Sequence, residues 1–148
     1  MSPKVFLDLC CVSRFTDDQS QLRVRQETEA LEVVLALIRE RKILLVSSDA
    51  LLEEAQQHPD SRRRQEAVAL LHVASEIVRT TAATHHRAEA LSHLGYGDFD
   101  ALHIAAAESV SAVVLLTTDD RLIKRVARGL GNVRIPVQNP VSWIKGIA

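Results

Sequence analysis

The sequence predicts an α/β domain with a mostly parallel central sheet of four to five strands and helices on both faces. Short apolar runs alternate along the chain with segments of helical periodicity, which is typical of strand–helix–strand crossovers. The apolar runs are continuous, as expected for strands that are buried on both faces. We expect residues 1–148 to form a single domain, because 148 residues suit one core and no linker or repeat divides them.

Five segments are predicted to be strands, at residues 4–7, 43–46, 77–80, 113–116 and 133–137. All five are short and rich in apolar or β-branched residues. The sheet has four or five strands, depending on whether segment 133–137 joins it.

Helical periodicity fills the stretches between the strands. Apolar residues recur at intervals of three and four between residues 31 and 38, and Thr16 with Gln19 forms a candidate capping box before that helix. Ser48 is the predicted N-cap of the helix after the second strand. The other helices are predicted over residues 50–57, 67–74, 84–94, 98–109 and 120–128.

Charge and composition exclude several classes of function. The chain has 18 basic and 19 acidic side chains and a net charge of −1, so it is not a uniformly basic nucleic-acid binder. Aromatic residues make up 3%, too few for a broad base-stacking surface. No signal-peptide pattern or membrane span is predicted. Because the only cysteines, Cys10 and Cys11, are adjacent, we expect inert buried thiols and a cytoplasmic location.

Several carboxylates are predicted to meet at one edge of the sheet. Asp8 directly follows the first strand and Asp119 follows the fourth, so parallel strands place both at the same edge. Asp100 lies in the first turn of the most apolar helix. Glu53 and Glu54 lie on the helix after the second strand, and their spacing alone leaves open which of them points inward.

Four carboxylates in one cleft repel one another and attract a cation. Two like charges about 4 Å apart cost roughly 4 kcal/mol at a surface-like dielectric. An all-oxygen ligand set favours Mg²⁺ or Mn²⁺, which can activate water and hold a phosphate. A structural alternative stays open, because an Asp after a strand is often an N-cap or a turn residue. Asp98 and Asp120 fit the N-cap role best.

Four short motifs contain these carboxylates and follow one another along the chain. They are Val-Phe-Leu-Asp at 5–8, Val-Ser-Ser-Asp-Ala-Leu-Leu-Glu-Glu at 46–54, Asp-Ala-Leu-His-Ile-Ala-Ala-Ala at 100–107 and Leu-Leu-Thr-Thr-Asp-Asp-Arg-Leu at 115–122. Each motif alone is weakly specific. Their order and spacing resemble the PIN-domain family, the fold of VapC-type ribonuclease toxins. The resemblance covers nearly the whole chain and implies a single PIN-like domain.

The resemblance implies a site made of four carboxylates. Matched position by position, the acidic residues of the family fall on Asp8, Glu54, Asp100 and Asp119. Thr117 matches a supporting hydroxyl residue. The implied activity is that of an endoribonuclease, which hydrolyses RNA phosphodiester bonds with Mg²⁺ or Mn²⁺. In that scheme the three aspartates and Glu54 hold one or two ions, and Glu54 also orients the attacking, metal-bound water.

The resemblance also implies partners. Many such ribonucleases form homodimers and act as toxins of type II toxin–antitoxin pairs, in which an antitoxin inserts its tail into the cleft. The sequence departs from one subgroup at Ser13, where that subgroup carries Asn, and this affects a contact near Asp8. The alternative is a non-catalytic PIN-like module that binds RNA or protein, and an inability to bind Mg²⁺ or Mn²⁺ would favour it.

A basic stripe is predicted on the helix after the last carboxylate. It consists of Arg121, Lys124, Arg125 and Arg128. These residues recur at three, four and seven positions, so they could follow an RNA backbone, and a solvated helix face is the alternative. His103 lies one turn after Asp100, where it either faces the cleft or is a hydrogen-bonded core residue.

Overall fold

Five parallel strands form one sheet in the computed structural model, which describes residues 2–147. The strands are β1 (Lys4–Leu7), β2 (Leu44–Ser48), β3 (Glu76–Val78), β4 (Val114–Leu116) and β5 (Val137–Gln138). They pair in the order β3-β2-β1-β4-β5, and every pair is parallel. The predicted sheet is confirmed. Its fifth strand is present at the edge but has only two residues.

Eight α-helices accompany the strands within residues 2–147. They are α1 (Leu9–Ser13), α2 (Leu22–Arg39), α3 (Asp49–Gln56), α4 (Ser61–His72), α5 (Ala82–His93), α6 (Asp98–Ser109), α7 (Asp120–Ala127) and α8 (Pro140–Ile147). The short helices α1 and α8 were not predicted. None of these eight helices has the length and apolar character needed to cross a bilayer.

Both faces of the sheet are covered. Side chains of successive strand residues point to opposite faces, and all three residues of β4 are buried together with Val5, Phe6 and Leu7 of β1. Burial on both faces requires helices on both faces. Helix α6 packs against α5, β2 and β4 and is buried along most of its length, as its apolar composition predicts.

The order of the strands reverses beside β1. The chain moves from β1 to β2 and β3 on one side, and then places β4 and β5 on the other side. In open parallel sheets the connections diverge at such a point and leave a crevice at the carboxyl ends of the strands. Asp8 follows β1, and Thr117 follows β4, so both residues lie where this crevice forms.

The starts of the helices agree with the sequence only in part. Ser48 caps α3 as predicted, because its hydroxyl accepts a backbone N–H at 3.0 Å. The predicted capping box of Thr16 and Gln19 is wrong, since α2 begins only at Leu22. Both side chains instead donate to backbone carbonyls of residues 13–17. Polar side chains near a helix start can bond the backbone of the preceding loop as readily as they cap the helix.

Two predicted N-caps are also displaced by one residue. At α7 the capping residue is Asp119 rather than Asp120. At α6 the capping position is occupied by Gly97, and Asp98 is the first helical residue. Sequence patterns locate a helix start only to within one or two residues, because neighbouring residues such as Asp119 and Asp120, or Gly97 and Asp98, are all acceptable at the capping position.

A buried carboxylate connects the segments around the crevice. Glu27 on α2 has a side chain that is 2% exposed. It accepts hydrogen bonds from Arg14 Nε at 2.9 Å, from Arg23 Nε at 3.2 Å and from Asn139 Nδ2 at 2.6 Å. Arg23 also pairs with Asp120 at 2.8 Å. Glu27 therefore holds the segment after α1 and the start of α8 against α2, and its partner Arg23 holds the start of α7 there.

We predict that Glu27→Ala strongly destabilises the fold. The substitution leaves two guanidinium groups and an amide without their shared acceptor, and breaking a buried ion pair costs about 3–5 kcal/mol. Chemical denaturation would measure the loss. Glu29→Ala, at an exposed position of the same helix, is the matched control and should change stability by less than about 0.5 kcal/mol. Equal effects of the two substitutions would contradict the assigned role of Glu27.

Candidate active site

One cavity at the carboxyl edge of the sheet is lined by all four carboxylates that the sequence singled out. Its volume is about 390 Å³. The carboxylates are Asp8, Glu54, Asp100 and Asp119, and the rim includes Cys10, Ser13, Arg14 and Asp17. The four residues come from four different segments of the chain. Their roles in binding or catalysis stay predictions, although the structure brings them together.

Asp8 is buried at the end of β1 and is held by several donors. Its Oδ1 accepts the N–H of Leu9 at 2.8 Å and thereby caps α1. Its Oδ2 accepts the hydroxyl of Thr117 at 2.8 Å. The backbone N–H of Asp8 donates to the carbonyl of Leu116 at 2.9 Å, next to the β1–β4 pair. Asp8 thus combines the N-cap role with a fixed position in the cavity.

Thr117 links two of the carboxylates. Its hydroxyl donates to Asp8 and accepts the backbone N–H of Asp119 at 3.1 Å. Thr117 is fully buried, so this link is shielded from water. One side chain therefore fixes the distance between the segments that follow β1 and β4.

Asp119 is the N-cap of α7 and keeps one oxygen unused. Its Oδ1 accepts the N–H groups of Arg121 at 2.9 Å and Leu122 at 3.4 Å. Among the described residues, no hydrogen-bond donor contacts Oδ2. The N-cap therefore orients the carboxylate while it leaves one oxygen available for a ligand.

The two adjacent thiols have different environments. Cys11 is buried as expected, and desolvation raises the pKa of its thiol well above 9.0. Cys10 departs from the expectation of a buried thiol, because it is half-buried and lines the cavity. Its sulfur lies 3.4 Å from Asp8 Oδ2 and 3.3 Å from Thr117 Oγ1. No sequence pattern distinguished Cys10 from Cys11, because α1 was not predicted.

Glu54 lines the cavity and contacts His103, which is buried behind it. Glu54 Oε1 and His103 Nε2 are 2.9 Å apart, and the imidazole is 1% exposed. Glu53 is exposed, so α3 turns Glu54 toward the site, as the resemblance implied. Asp8, Glu54 and His103 each offer an atom that could bind a metal, and these atoms lie within 4.8 Å of one another.

His103 is thus a buried, hydrogen-bonded residue that does not line the cavity but contacts Glu54, which does. Of the two interpretations that the sequence left open, the structure favours the hydrogen-bonded core residue. The signal was present in the helical spacing, because His103 lies one turn after Asp100 on the same helix. Asp98 lies outside the cavity and accepts a hydrogen bond from Ser92 at 3.2 Å.

The crowding of negative charge is visible in the pKa of Asp100. This pKa is raised from 3.8 to about 6, first by burial and then by the negative charges of Asp8, Asp119 and Glu54. The nearby imidazole of His103 opposes this effect. Burial lowers the pKa of His103, but the hydrogen bond to Glu54 and the charges of Asp8 and Asp100 outweigh it, so the net shift is upward.

No arginine or lysine of residues 2–147 forms an ion pair with the four cavity carboxylates. Arg14, which lines the cavity, donates instead to Asp17 at 2.6 Å and to Glu27 at 2.9 Å. Arg63 also binds Asp17. The site therefore keeps its negative charge.

The predicted basic stripe on α7 is only partly exposed. Arg121, Lys124 and Arg128 are exposed to solvent. Arg125 is half-buried, donates to the carbonyl of Gly95 at 2.6 Å and lies 5.7 Å from the centre of the Tyr96 ring. Three of the four residues are thus free to contact a ligand at the surface.

Structures with a similar fold include toxin–antitoxin proteins. VapC20 of Mycobacterium tuberculosis, described as a sarcin-ricin loop cleaving toxin, has a TM-score of 0.59 and 14% identity, over 84% of this chain and 95% of that chain. VapBC2 of Rickettsia felis, bound to a promoter DNA fragment, has a TM-score of 0.57 and 16% identity, and the match covers 92% of this chain and 98% of that chain. FitAcB of Neisseria gonorrhoeae has a TM-score of 0.58 and 16% identity, and the match covers 92% of this chain and 97% of that chain. At these identities the likeness concerns the fold.

Sequence comparison identifies the family. No curated protein matches the chain significantly. The sequence model of the PIN domain matches residues 13–129, a range that begins after Asp8 and includes Glu54, Asp100 and Asp119. Because this range covers well over half of the chain, the protein belongs to the PIN-domain family.

Proposed function

We propose that this protein is a divalent-metal-dependent endoribonuclease that hydrolyses RNA phosphodiester bonds. The observation that carries the proposal is the cavity at the switch point of the sheet, where four carboxylates converge without an arginine or lysine partner among residues 2–147. A purely structural set of buried acids would be expected to pair with arginine or lysine. Uncompensated carboxylates in one cleft are instead typical of a cation site.

The donor set fits Mg²⁺ or Mn²⁺. Carboxylate oxygens suit hard divalent ions, and the raised pKa of Asp100 indicates that a neutralising charge would be favourable there. Asp8, Asp100, Asp119 and Glu54 would hold one or two such ions. When bound, it would polarise the scissile phosphate and make water a stronger nucleophile.

The other side chains would position the reactants. Glu54 would orient the attacking water, because its Oε1 is already bound to His103 and no hydrogen-bond donor of the described residues contacts its Oε2. Thr117 would keep Asp8 and Asp119 at a fixed distance. In-line attack on the phosphate would then leave a 5′-phosphate and a 3′-hydroxyl.

We further propose that the protein is the toxin of a type II toxin–antitoxin pair and acts in the cytoplasm. The support is the family together with the fold likeness to VapC20, VapBC2 and FitAcB. An antitoxin would then be the protein partner, and a homodimer the expected assembly. A non-catalytic PIN-like module is the competing function, and the metal-binding experiments below distinguish the two.

Asp8→Asn is predicted to abolish RNA cleavage while the fold is retained. Asn is also a good N-cap and preserves the shape of the side chain, but it removes the negative charge that would hold the ion. We expect a loss of at least about 100-fold in the rate of cleavage of single-stranded RNA with Mn²⁺, and complete loss for the wild type in chelator.

Asp98→Asn is the matched control, because Asp98 lies on α6 near the site but outside the cavity. It should cleave RNA at the wild-type rate. Full activity of the wild-type protein in the presence of chelator would contradict the proposed metal dependence.

Asp100→Asn is predicted to stabilise the metal-free protein in a pH-dependent manner. The pKa of Asp100 in the folded state is about 6, above its ordinary value of 3.8, so the folded state binds more protons between these values. Stability is therefore lost as the pH rises from about 4 to 6, and the substitution removes that loss.

Thermal unfolding in chelator would test this prediction. We expect Asp100→Asn to melt at a higher temperature than the wild type at pH 8, with a smaller difference at pH 5. Addition of Mn²⁺ should reverse the order at pH 8, because only the wild-type site gains a ligand. A variant that is less stable at pH 8 without metal would show that Asp100 is not under repulsion.

Neutralising the exposed part of the basic stripe is predicted to weaken RNA binding rather than the chemical step. The triple substitution of Arg121, Lys124 and Arg128 to Gln should raise KM for RNA and leave kcat within about threefold. Each lost phosphate contact should reduce the slope of log affinity against log salt by about 0.7 for single-stranded RNA.

The matched control removes three charges at the opposite edge of the sheet. Arg39, Arg41 and Lys42 are exposed just before β2, and their substitution by Gln should leave KM unchanged. If both triple variants raise KM equally, the effect comes from net charge and α7 is not a specific RNA contact.

A further inference from the structure

His103 is a buried polar residue that the proposed reaction leaves without a role. Its imidazole is 1% exposed, and its Nε2 lies 2.9 Å from Glu54 Oε1. Its other ring nitrogen, Nδ1, is buried and has no hydrogen-bond partner among residues 2–147. A buried polar group with an unsatisfied atom is costly, so the residue needs a functional or structural reason.

Two aromatic side chains restrict the orientation of the imidazole. The ring centre of Phe99 is 6.0 Å from that of His103, and the two planes are inclined by 22°. The ring centre of Phe6 is 5.8 Å away, at 37°. The apolar surroundings leave Glu54 as the hydrogen-bond partner of the ring within residues 2–147. The packing therefore aims Nε2 at Glu54.

The distance between Nε2 and Oε1 is compatible with two different roles. His103 could donate a hydrogen bond to Glu54, or both could be ligands of one ion. Two ligand atoms about 2.1 Å from an ion and at right angles would also be about 3 Å apart. The distance alone does not decide between a donor and a metal ligand.

The unpartnered Nδ1 decides in favour of the donor. A histidine that binds a metal through Nε2 carries its proton on Nδ1 and almost always donates that N–H to a carboxylate, carbonyl or water. Here no acceptor among the described residues faces Nδ1. A buried N–H without an acceptor is rarer and more costly than a bare nitrogen, so the proton belongs on Nε2.

We propose that His103 is a positioning residue, which donates from Nε2 to Glu54 Oε1 and holds the carboxylate for the ion and the attacking water. The inference rests on the proposed metal-dependent function and assigns to His103 an action through Glu54. The Nε2 donor exists both in the neutral Nε2–H tautomer and in the imidazolium ion, so the role does not depend on the charge of the ring.

The test compares Mn²⁺ binding by metal-free variants, measured by calorimetry or by the electron paramagnetic resonance signal of free Mn²⁺. His103→Phe keeps an aromatic ring but removes the donor, and we expect a loss of affinity of about 10–100-fold, as is usual when the hydrogen-bond partner of a ligand is removed. His103→Gln places an amide N–H near the position of Nε2 and should bind within about threefold of the wild type.

His103→Asn provides a second comparison if the Phe variant unfolds. Its amide lies near the position of Nδ1, too short to reach Glu54, so it should bind Mn²⁺ as weakly as His103→Phe. Phe99→Leu is the packing control, because it alters the surroundings of the ring but not the hydrogen bond. It should retain wild-type affinity, and thermal unfolding would confirm that each variant is folded.

A double-mutant cycle with Glu54→Gln tests whether His103 affects Mn²⁺ binding through Glu54. If His103 acts through Glu54, adding His103→Phe to Glu54→Gln should weaken Mn²⁺ binding no further. A further loss in the double variant, or weak binding by His103→Gln, would instead make His103 a ligand and overturn the inference. Weak binding by Phe99→Leu would assign the effect to packing and overturn it as well.

The same measurements separate this inference from the proposed function. If the wild type binds Mn²⁺ and His103→Phe binds it equally well, only the positioning role fails. If the wild type does not bind Mn²⁺ at millimolar concentration, the metal-dependent function fails and the inference fails with it.

Discussion

Mutual repulsion among the carboxylates at the carboxyl edge of the sheet is the constraint on which the site depends. Asp8 is buried, and the pKa of Asp100 is raised to about 6, first by burial and then by the negative charges of Asp8, Asp119 and Glu54. The carboxylates stay together because each is fixed by an element that is stable for other reasons. Asp8 directly follows a central strand, Asp119 caps α7, and Asp100 lies in the first turn of a buried helix.

The distribution of arginines preserves this charge. The rim arginine Arg14 is bound by Asp17 and Glu27, and Arg23 is bound by Glu27 and Asp120. These ion pairs hold the segments around the cavity in place while they keep cationic side chains out of it. A single arginine released toward the cavity would neutralise the site and compete with a divalent ion. The structural ion pairs and the functional carboxylates are therefore complementary parts of one electrostatic arrangement.

The sequence predicts the sheet and the convergence of the carboxylates because both follow from long-range pattern. Buried parallel strands read as apolar runs, and residues that follow such strands meet at one edge whatever lies between them. Local geometry was harder to predict. The helix α1 has only five residues, too few for periodicity, so the contact of Cys10 with Asp8 could not be foreseen. The choice of Glu54 over Glu53 needed the family resemblance, because helical spacing left both open.

Two adjacent acidic residues can have different partners, and the sequence alone does not show which of them enters the cavity. In the Asp119–Asp120 pair, Asp119 caps α7 and lines the cavity, whereas the hydrogen bond from Arg23 lowers the pKa of Asp120 and commits it to an ion pair. Asp119 lies just before α7 and Asp120 is its first helical residue, so one side chain faces the cavity and the other faces Arg23. The sequence shows that acids are abundant near the edge of the sheet. For neighbours within one helix, such as Glu53 and Glu54, the phase of the helix, set by the packing of its apolar side, determines which acid enters the cavity.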